Sequence, residues 1–362
     1  MNSSFLIPHS SLIIACRNEI ENLPNLLISI ENQTHKPDEI IFVDDNSTDE
    51  TYNFLLNQSK KHPYLKVIKN TGKGKKSALI QAAKIAKYEY LIFTDADCTL
   101  NKNHCAIALQ YLKKNNSDML LGAVDILDEK GIFNIIEKIE FTSLQAVTAY
   151  SALLNNPIMC NGANLIIRRT TYLEYINSIN TSIASGDDMF MLHALKKNRS
   201  KIDYLYDSNY IVKTKGTNSL KKFLLQRIRW ATKSINYTDP TTIFTAIMIA
   251  VINIFLFFAP FSLLPTPYSL LPTPYSLLPI PYSLHPIPYT LLPTPYSLLL
   301  IFSIIMIIEN IIMLPYLFKY KQYRALKYYP ILFPIMSLLY PLYILIILIS
   351  IPFYNKTNPH WK

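Results

Sequence analysis

Residues 90–97, YLIFTDAD, set four apolar positions and a threonine ahead of two carboxylates, Asp95 and Asp97. An apolar run this short, bounded by polar residues, predicts a buried strand of an α/β sheet. On an extended chain alternate residues point the same way, so both acids are expected to converge at the strand's C-terminal end. In open α/β sheets that edge binds ligands. Two hard oxygen ligands suit Mg²⁺ or Mn²⁺, which would neutralise a diphosphate leaving group. A helix-capping acid after a strand is the plainer alternative.

Working outward, the same alternation recurs on both sides. SSLIIAC (10–16) predicts a strand, followed by a helix from Glu19 to Gln33; EIIFVDD (39–45) predicts a second strand, with Ser47 or Thr48 capping the next helix. LKVIKN (65–70) is a third strand, KKSALIQAAKIAK (75–87) a helix, DMLLGAV (118–124) a fifth strand, 131–155 a helix, GANLIIRR (162–169) a strand and GDDMFMLHALKK (186–197) a helix. These βα units predict a mainly parallel central sheet.

The chain has 362 residues, and its charges crowd into 1–239. The division expected is a domain at 1–239, a membrane module at 240–354 and a short tail at 355–362. Three stretches, about 241–262, 298–318 and 330–353, are long and apolar enough to span a bilayer. The intervening stretch 318–328 carries Lys319, Lys321, Arg324 and Lys327. The positive-inside rule places it in the cytoplasm. Counting spans backwards makes 1–239 cytoplasmic as well, in a multi-pass cell-membrane protein whose tail lies outside. The N-terminus shows neither a basic n-region nor a long apolar core, so no signal peptide is expected.

Between the first two spans a heptad, LLPTPYS, recurs in five copies over 263–297, with two prolines in each. Prolines at that density forbid a regular helix, and the segment reads as a tolerated external loop. Glu309 lies inside the second span, facing the bundle or a lipid-linked substrate, or paired with a neighbour such as Asn310.

The net charge of +10 is compatible with an anionic surface or substrate. No zinc-finger spacing, aromatic RNA-binding motif or basic arm accompanies it, so nucleic acid is not an expected partner. Cys16, Cys98, Cys105 and Cys160 form no metal spacing and read as reduced cysteines.

Four further clusters carry chemistry. Asp44 and Asp45 end the second strand, where an acid accepts bonds from a base or ribose, though Asp-Asn-Ser is also ordinary turn chemistry. Lys73-Gly74-Lys75-Lys76 precedes a helix and suits an anion or a solvated basic loop. Gly186-Asp187-Asp188 opens a helix and offers a capping acid or a general base. Gln226-Arg227-Ile228-Arg229-Trp230 lies on a basic amphipathic segment, able to anchor at an interface or to bind diphosphate and stack on a sugar.

In this order ACRNE, VDDNSTD, KGKK, TDADC, NGAN, GDD and QRIRW resemble the inverting glycosyltransferases of family 2, over about residues 8–235. They look most like the membrane-bound branch that includes cellulose, chitin, hyaluronan and poly-N-acetylglucosamine synthases and the ceramide glucosyltransferases. The resemblance implies a GT-A fold and a nucleotide-sugar donor, a UDP-sugar first. It implies a lipid-linked or glycan acceptor and Mg²⁺ or Mn²⁺. Arg17, Glu19, Asp44 and Asp45 would then lie at the base and ribose, with Lys73 near the nucleotide or diphosphate. Asp95 and Asp97 would form the metal-binding pair, with Asp97 the more direct ligand. Asn161, Gly162 and Asn164 fall at the acceptor-side turn. Asp188 would be the catalytic base, with Asp187 standing where the family has glutamate. Gln226, Arg229 and Trp230 match QxxRW, near the diphosphate and acceptor. Processive members usually carry spans on both sides of the catalytic domain, so single and processive transfer both stay open. A sugar-phosphate nucleotidyltransferase would need a glycine-rich loop where ACRNE stands, and a non-enzymatic scaffold would tolerate loss of acids that are intact here.

Overall fold

The computed structural model describes residues 7–179, 186–260 and 295–354. The repeat from 263 to 294 and the tail from 355 lie outside the described residues.

The strands are β1 (Ser10–Cys16), β2 (Glu39–Asp44), β3 (Leu65–Lys69), β4 (Tyr90–Phe93), β5 (Thr99–Leu100), β6 (Met119–Leu121), β7 (Ala123–Ile126), β8 (Leu165–Arg168), β9 (Ile202–Tyr204) and β10 (Ile211–Thr214). Seven form one sheet in the order β3-β2-β1-β4-β8-β6-β9, and β5-β10-β7 form a small second sheet. β1 to β4 run parallel, while β8 is antiparallel to both β4 and β6. This is the α/β architecture with a mainly parallel sheet expected from the apolar runs. Strands β1, β2 and β4 are buried at every position because helices cover both faces.

Two strand readings change. β4 stops at Phe93, so Asp95 and Asp97 sit on a turn closed by the Cys98 amide on the Asp95 carbonyl (3.1 Å), not on extended chain. DMLLGAV splits at Gly122 into β6 and β7, which belong to different sheets. A Cβ on Gly122 would overlap the Tyr210 ring and stand 2.7 Å from Asn164 Cγ. The chain changes sheets where only glycine fits.

The helices that matter for the site are α1 (Leu23–Glu31), α2 (Thr51–Ser59), α3 (Gly74–Ile85), α4 (His104–Asn115), α5 (Ile132–Leu153), α6 (Arg169–Glu174), α7 (Asp187–Lys197) and α8 (Leu220–Ser234). Three more follow: α9 (Pro240–Phe258), α10 (Pro295–Lys319) and α11 (Tyr323–Ser350). All three are long and apolar enough to cross a membrane. α10 begins inside the fifth heptad, and Arg324 and Lys327 lie on α11 rather than in a loop. Glu309 accepts from Ser337 Oγ at 3.3 Å across α10 and α11, whereas Asn310 bonds back to the Met306 carbonyl at 2.7 Å.

The apolar helices share the domain's own core. Tyr316, Leu317, Tyr320, Ala325 and Tyr329 are buried in one cluster with Ile135, Ile139 and Ala146 of α5. All four cysteines are buried and none forms a disulfide.

Candidate active site

The sheet order puts β1 between β2 and β4, so the chain reverses its direction of progress between β1 and β4. Outside the C-terminal ends of two such strands a crevice opens. Arg17–Glu19 leave β1 on one side of it, and the Asp95–Asp97 turn leaves β4 on the other.

On the β2 side, Asp44 and Asp45 are both buried but differ in use. Asp45 accepts from Asn70 Nδ2 at 2.7 Å and from the Gly74 amide at 3.0 Å, and Arg17 approaches it at 3.8 Å. It therefore anchors the basic loop. Asp44 Oδ2 takes the Ser47 amide at 3.3 Å, while its buried Oδ1 has no hydrogen-bond partner among the described residues. A buried acceptor without a donor is costly unless a ligand supplies one. Glu19 is buried and accepts from Asn22 Nδ2 at 2.6 Å.

Of the basic loop, Lys73 is exposed, whereas Lys75 turns inward and pairs with Asp95. Burial opposes the charge on Lys75, yet Asp95, Asp187 and Asp188 together hold its pKa above the ordinary lysine range. Lys76 lies over the Phe190 ring at 4.7 Å, and burial lowers its pKa. Asp97 is pushed up to about 6 by burial and by the Asp95 charge beside it. Two acids that repel one another in this way fit a divalent cation, which would relieve the surplus charge. Among the described residues no group of three or more acidic, Cys or His side chains gathers for a metal.

The GDD stretch enters the same centre. Gly186 has φ +91°, a left-handed turn open to glycine, and it starts α7 directly behind it. Asp188 Oδ2 accepts from the Gly162 amide at 3.0 Å, and Oδ1 from the Met189 amide at 2.8 Å. Burial, then the Asp188 charge, raises the pKa of Asp187. Asn161 Oδ1 holds the Ala163 amide at 3.0 Å. Asn164 is buried and committed to the frame: it accepts from His104 Nε2 at 2.9 Å and donates to the Ala123 carbonyl at 2.7 Å.

α8 brings the last group. Arg227 is clamped by Glu140 (2.9 Å from Nε) and lies between the rings of Phe223 and Trp230 at 4.5 and 4.4 Å. It also donates to Gln226 Oε1, which ties that side chain to the helix. Arg229 has a buried Nε without a hydrogen-bond partner among the described residues. Burial lowers its pKa, and Asp95 is among the charges that oppose this. Lys233, one turn along the same face, is pushed down to about 8 by burial, with Asp188 and Asp187 opposing and Arg229 and Lys75 adding.

The centre thus gathers Asp95, Asp97, Asp187 and Asp188 with Lys75, Arg229 and Lys233. Lys233 goes beyond the residues singled out from motifs, and within the basic loop it is Lys75 rather than Lys73 that reaches the centre. Lys233 could have been found from its i+4 spacing to Arg229. Lys75 could not be told from Lys73 without the path of the loop.

Residues 11–174 match the family model "Glycosyl transferase family 2". That segment carries the β1 and β2 ends, the basic loop and the paired carboxylates. Over that segment the chain is similar to that family. The glycosyl transferase match stops short of α7 and α8. A poly-beta-1,6-N-acetyl-D-glucosamine synthase of Staphylococcus epidermidis is 31% identical over 138 residues, 37% of this chain and 33% of the relative. A poly(ribitol-phosphate) beta-glucosyltransferase of Bacillus spizizenii is 28% identical over 212 residues, 57% of this chain and 32% of the relative. The match therefore spans about a third of each curated relative. Among solved structures, S. aureus TarS in complex with UDP aligns with TM-score 0.48 and 22% identity, over 72% of this chain and 76% of that one.

Proposed function

We propose that this chain is an inverting glycosyltransferase that moves a sugar from a nucleotide-sugar donor, a UDP-sugar first, onto a lipid-linked or saccharide acceptor at the cytoplasmic membrane face. The observation that carries the reading is the meeting of the Asp95–Asp97 turn, paired with Lys75, and the start of α7, where a Cβ on Gly186 would lie 3.2 Å from Lys233 Cδ on the Arg229 face of α8.

In this reading Asp44, with an unused buried acceptor, takes a ribose or base donor, and Arg17 and Glu19 flank it. Asp95 and Asp97 would hold Mg²⁺ or Mn²⁺, which when bound neutralises charge on the diphosphate. Lys75 and Arg229 hold the departing nucleoside diphosphate with charge-assisted bonds. Asp188, held by the Gly162 amide, takes the proton of the acceptor hydroxyl as the sugar is displaced with inversion. Trp230, half-buried beside Arg227, offers a stacking face to the acceptor. Three apolar helices next to the site support a membrane location, and Lys319, Lys321, Arg324 and Lys327 beside them support a cytoplasmic catalytic domain.

The test is release of nucleoside diphosphate by the purified full chain from a panel of UDP- and GDP-sugars, with membrane lipid extract or oligosaccharide as acceptor, with and without Mn²⁺. Acceptor-dependent release from one donor supports the reading. No release from any donor overturns it.

A further inference from the structure

The QRIRW stretch of α8 carries two arginines that serve different ends. Arg229 lies toward the centre, within the field of Asp95. Arg227 is committed to the frame. Its Nε donates to Glu140 Oε1 at 2.9 Å, Nη2 donates to Glu140 Oε2, and Nη1 donates to Gln226 Oε1. The rings of Phe223 and Trp230 lie against its guanidinium at 4.5 and 4.4 Å. Each of the three nitrogens has a protein acceptor, so Arg227 is a clamp within the domain rather than a group for a ligand.

Glu140 is buried on α5, so its oxygens need donors from the protein. Arg227 supplies two. A third comes from α11, where the Tyr343 hydroxyl donates to Glu140 Oε1 at 3.0 Å. The Tyr343 ring also stacks on Phe223 at 5.8 Å and so backs the ring that lies against Arg227. α11 therefore reaches this stretch twice, by a hydroxyl and by a ring. A buried ion pair holds one geometry only while its remaining hydrogen bonds are made. Gln226 is tied to the pair through Nη1 of Arg227, and Trp230 through its indole face, with Phe141 beside it at 6.3 Å.

We propose that Tyr343 is a positioning residue for transfer: through Glu140 and Arg227, its hydroxyl fixes the side chains of Gln226 and Trp230 on the acceptor side of the crevice. The effect on transfer rests on the reading that Trp230 faces the acceptor; the hold on Trp230 does not. Acceptor-side geometry then depends on α11. The donor side, built from the ends of β1, β2 and β4, does not.

The chain has two tryptophans, Trp230 and Trp361, so Trp361→Phe leaves Trp230 as the sole reporter. The test compares acrylamide quenching of Trp230 in the full chain in detergent. Tyr343→Phe keeps the ring and removes only the hydroxyl, and it should raise the quenching constant about twofold or more as the loosened network opens. Arg227→Lys keeps the charge and loses the fork, and in that background Tyr343→Phe should add nothing further. Gln322→Met removes another hydrogen bond between α11 and α5 without touching Glu140, and it should leave quenching at the wild-type level. Unchanged quenching in Tyr343→Phe overturns the proposal. So does an equal rise in Gln322→Met, the mark of a general loosening of α11, or a full further rise in the Arg227→Lys background. With the donor found by the panel above, Tyr343→Phe should lower acceptor-dependent release about tenfold, while affinity for UDP or GDP stays within about twofold. Equal loss of nucleotide affinity would overturn the assignment to the acceptor side. If no donor is turned over, the transferase reading fails, and the quenching series still decides what Tyr343 holds.

Discussion

The main-chain amide of Gly162 donates to Asp188 Oδ2 at 3.0 Å, which joins the turn before β8 to the first turn of α7. One carboxylate oxygen is thereby directed by the frame of the domain.

From that bond, Asp188→Asn should lower transfer by at least about 10²-fold, the usual scale of a general base, while donor affinity stays within about twofold. Single-turnover transfer and donor binding by thermal shift separate the two. Gly162→Ala adds a Cβ 3.4 Å from Asp188 Oδ2 and should show a smaller loss of the same kind. A larger loss from Asp187→Asn than from Asp188→Asn would move the base by one residue.

The second prediction concerns the cation. Asp97→Asn should cut turnover by orders of magnitude while the unfolding midpoint stays near wild type, and EDTA should abolish activity that Mn²⁺ restores. Lys75→Met removes the partner of Asp95 and should raise the donor KM about tenfold or more, with Lys75→Arg intermediate. Equal rates in EDTA and Mn²⁺ would sink the metal-dependent reading.

Gly122 offers a test of the frame alone. Gly122→Ala forces a Cβ against Tyr210 and Asn164 and should destabilise the fold by about 1–3 kcal/mol, the range for overpacked sites. Chemical denaturation in detergent measures it. An unchanged midpoint would mean that β6 and β7 can shift apart.

His104 sets a pH dependence of stability. It is buried, its ring stacks on Tyr210 at 4.6 Å, and Nε2 donates to Asn164. Burial pushes its pKa down to about 4 from the ordinary 6.5. As pH falls below 6.5 the unfolded chain takes up a proton that the folded imidazole refuses. Stability is therefore full above 6.5, declines between 6.5 and 4, and is not lost further through this group below 4. The whole effect is at most about 3 kcal/mol. His104→Gln keeps a donor for Asn164 and should flatten that part of the profile relative to wild type.

Much of this protein is set by local order. Largely apolar runs between helical patterns determine the strands, because a parallel sheet covered on both faces leaves few polar positions within them. Asp95, Asp97, Asp187 and Asp188 were legible because acids after strands and at helix starts sit where chain direction alone puts ligands. The sequence also determines which helices are apolar enough for lipid.

Tertiary structure decided the rest, through contacts between residues far apart in the chain. Only the β3-β2-β1-β4 order places Arg17 opposite the Asp95 turn. Asp45 and Asn164 match ligand-site motifs, yet their hydrogen bonds go to Gly74, Asn70, His104 and Ala123, so they hold the frame. Lys75 became the partner of Asp95 because the loop turns it inward and Lys73 outward. α11 is the sharpest case. Hydropathy measures transfer from water to an apolar medium and cannot tell a lipid core from the flank of a folded domain. Tyr343 on Glu140 and Gln322 on Thr142 tie α11 to α5 at two points that hydropathy does not foresee.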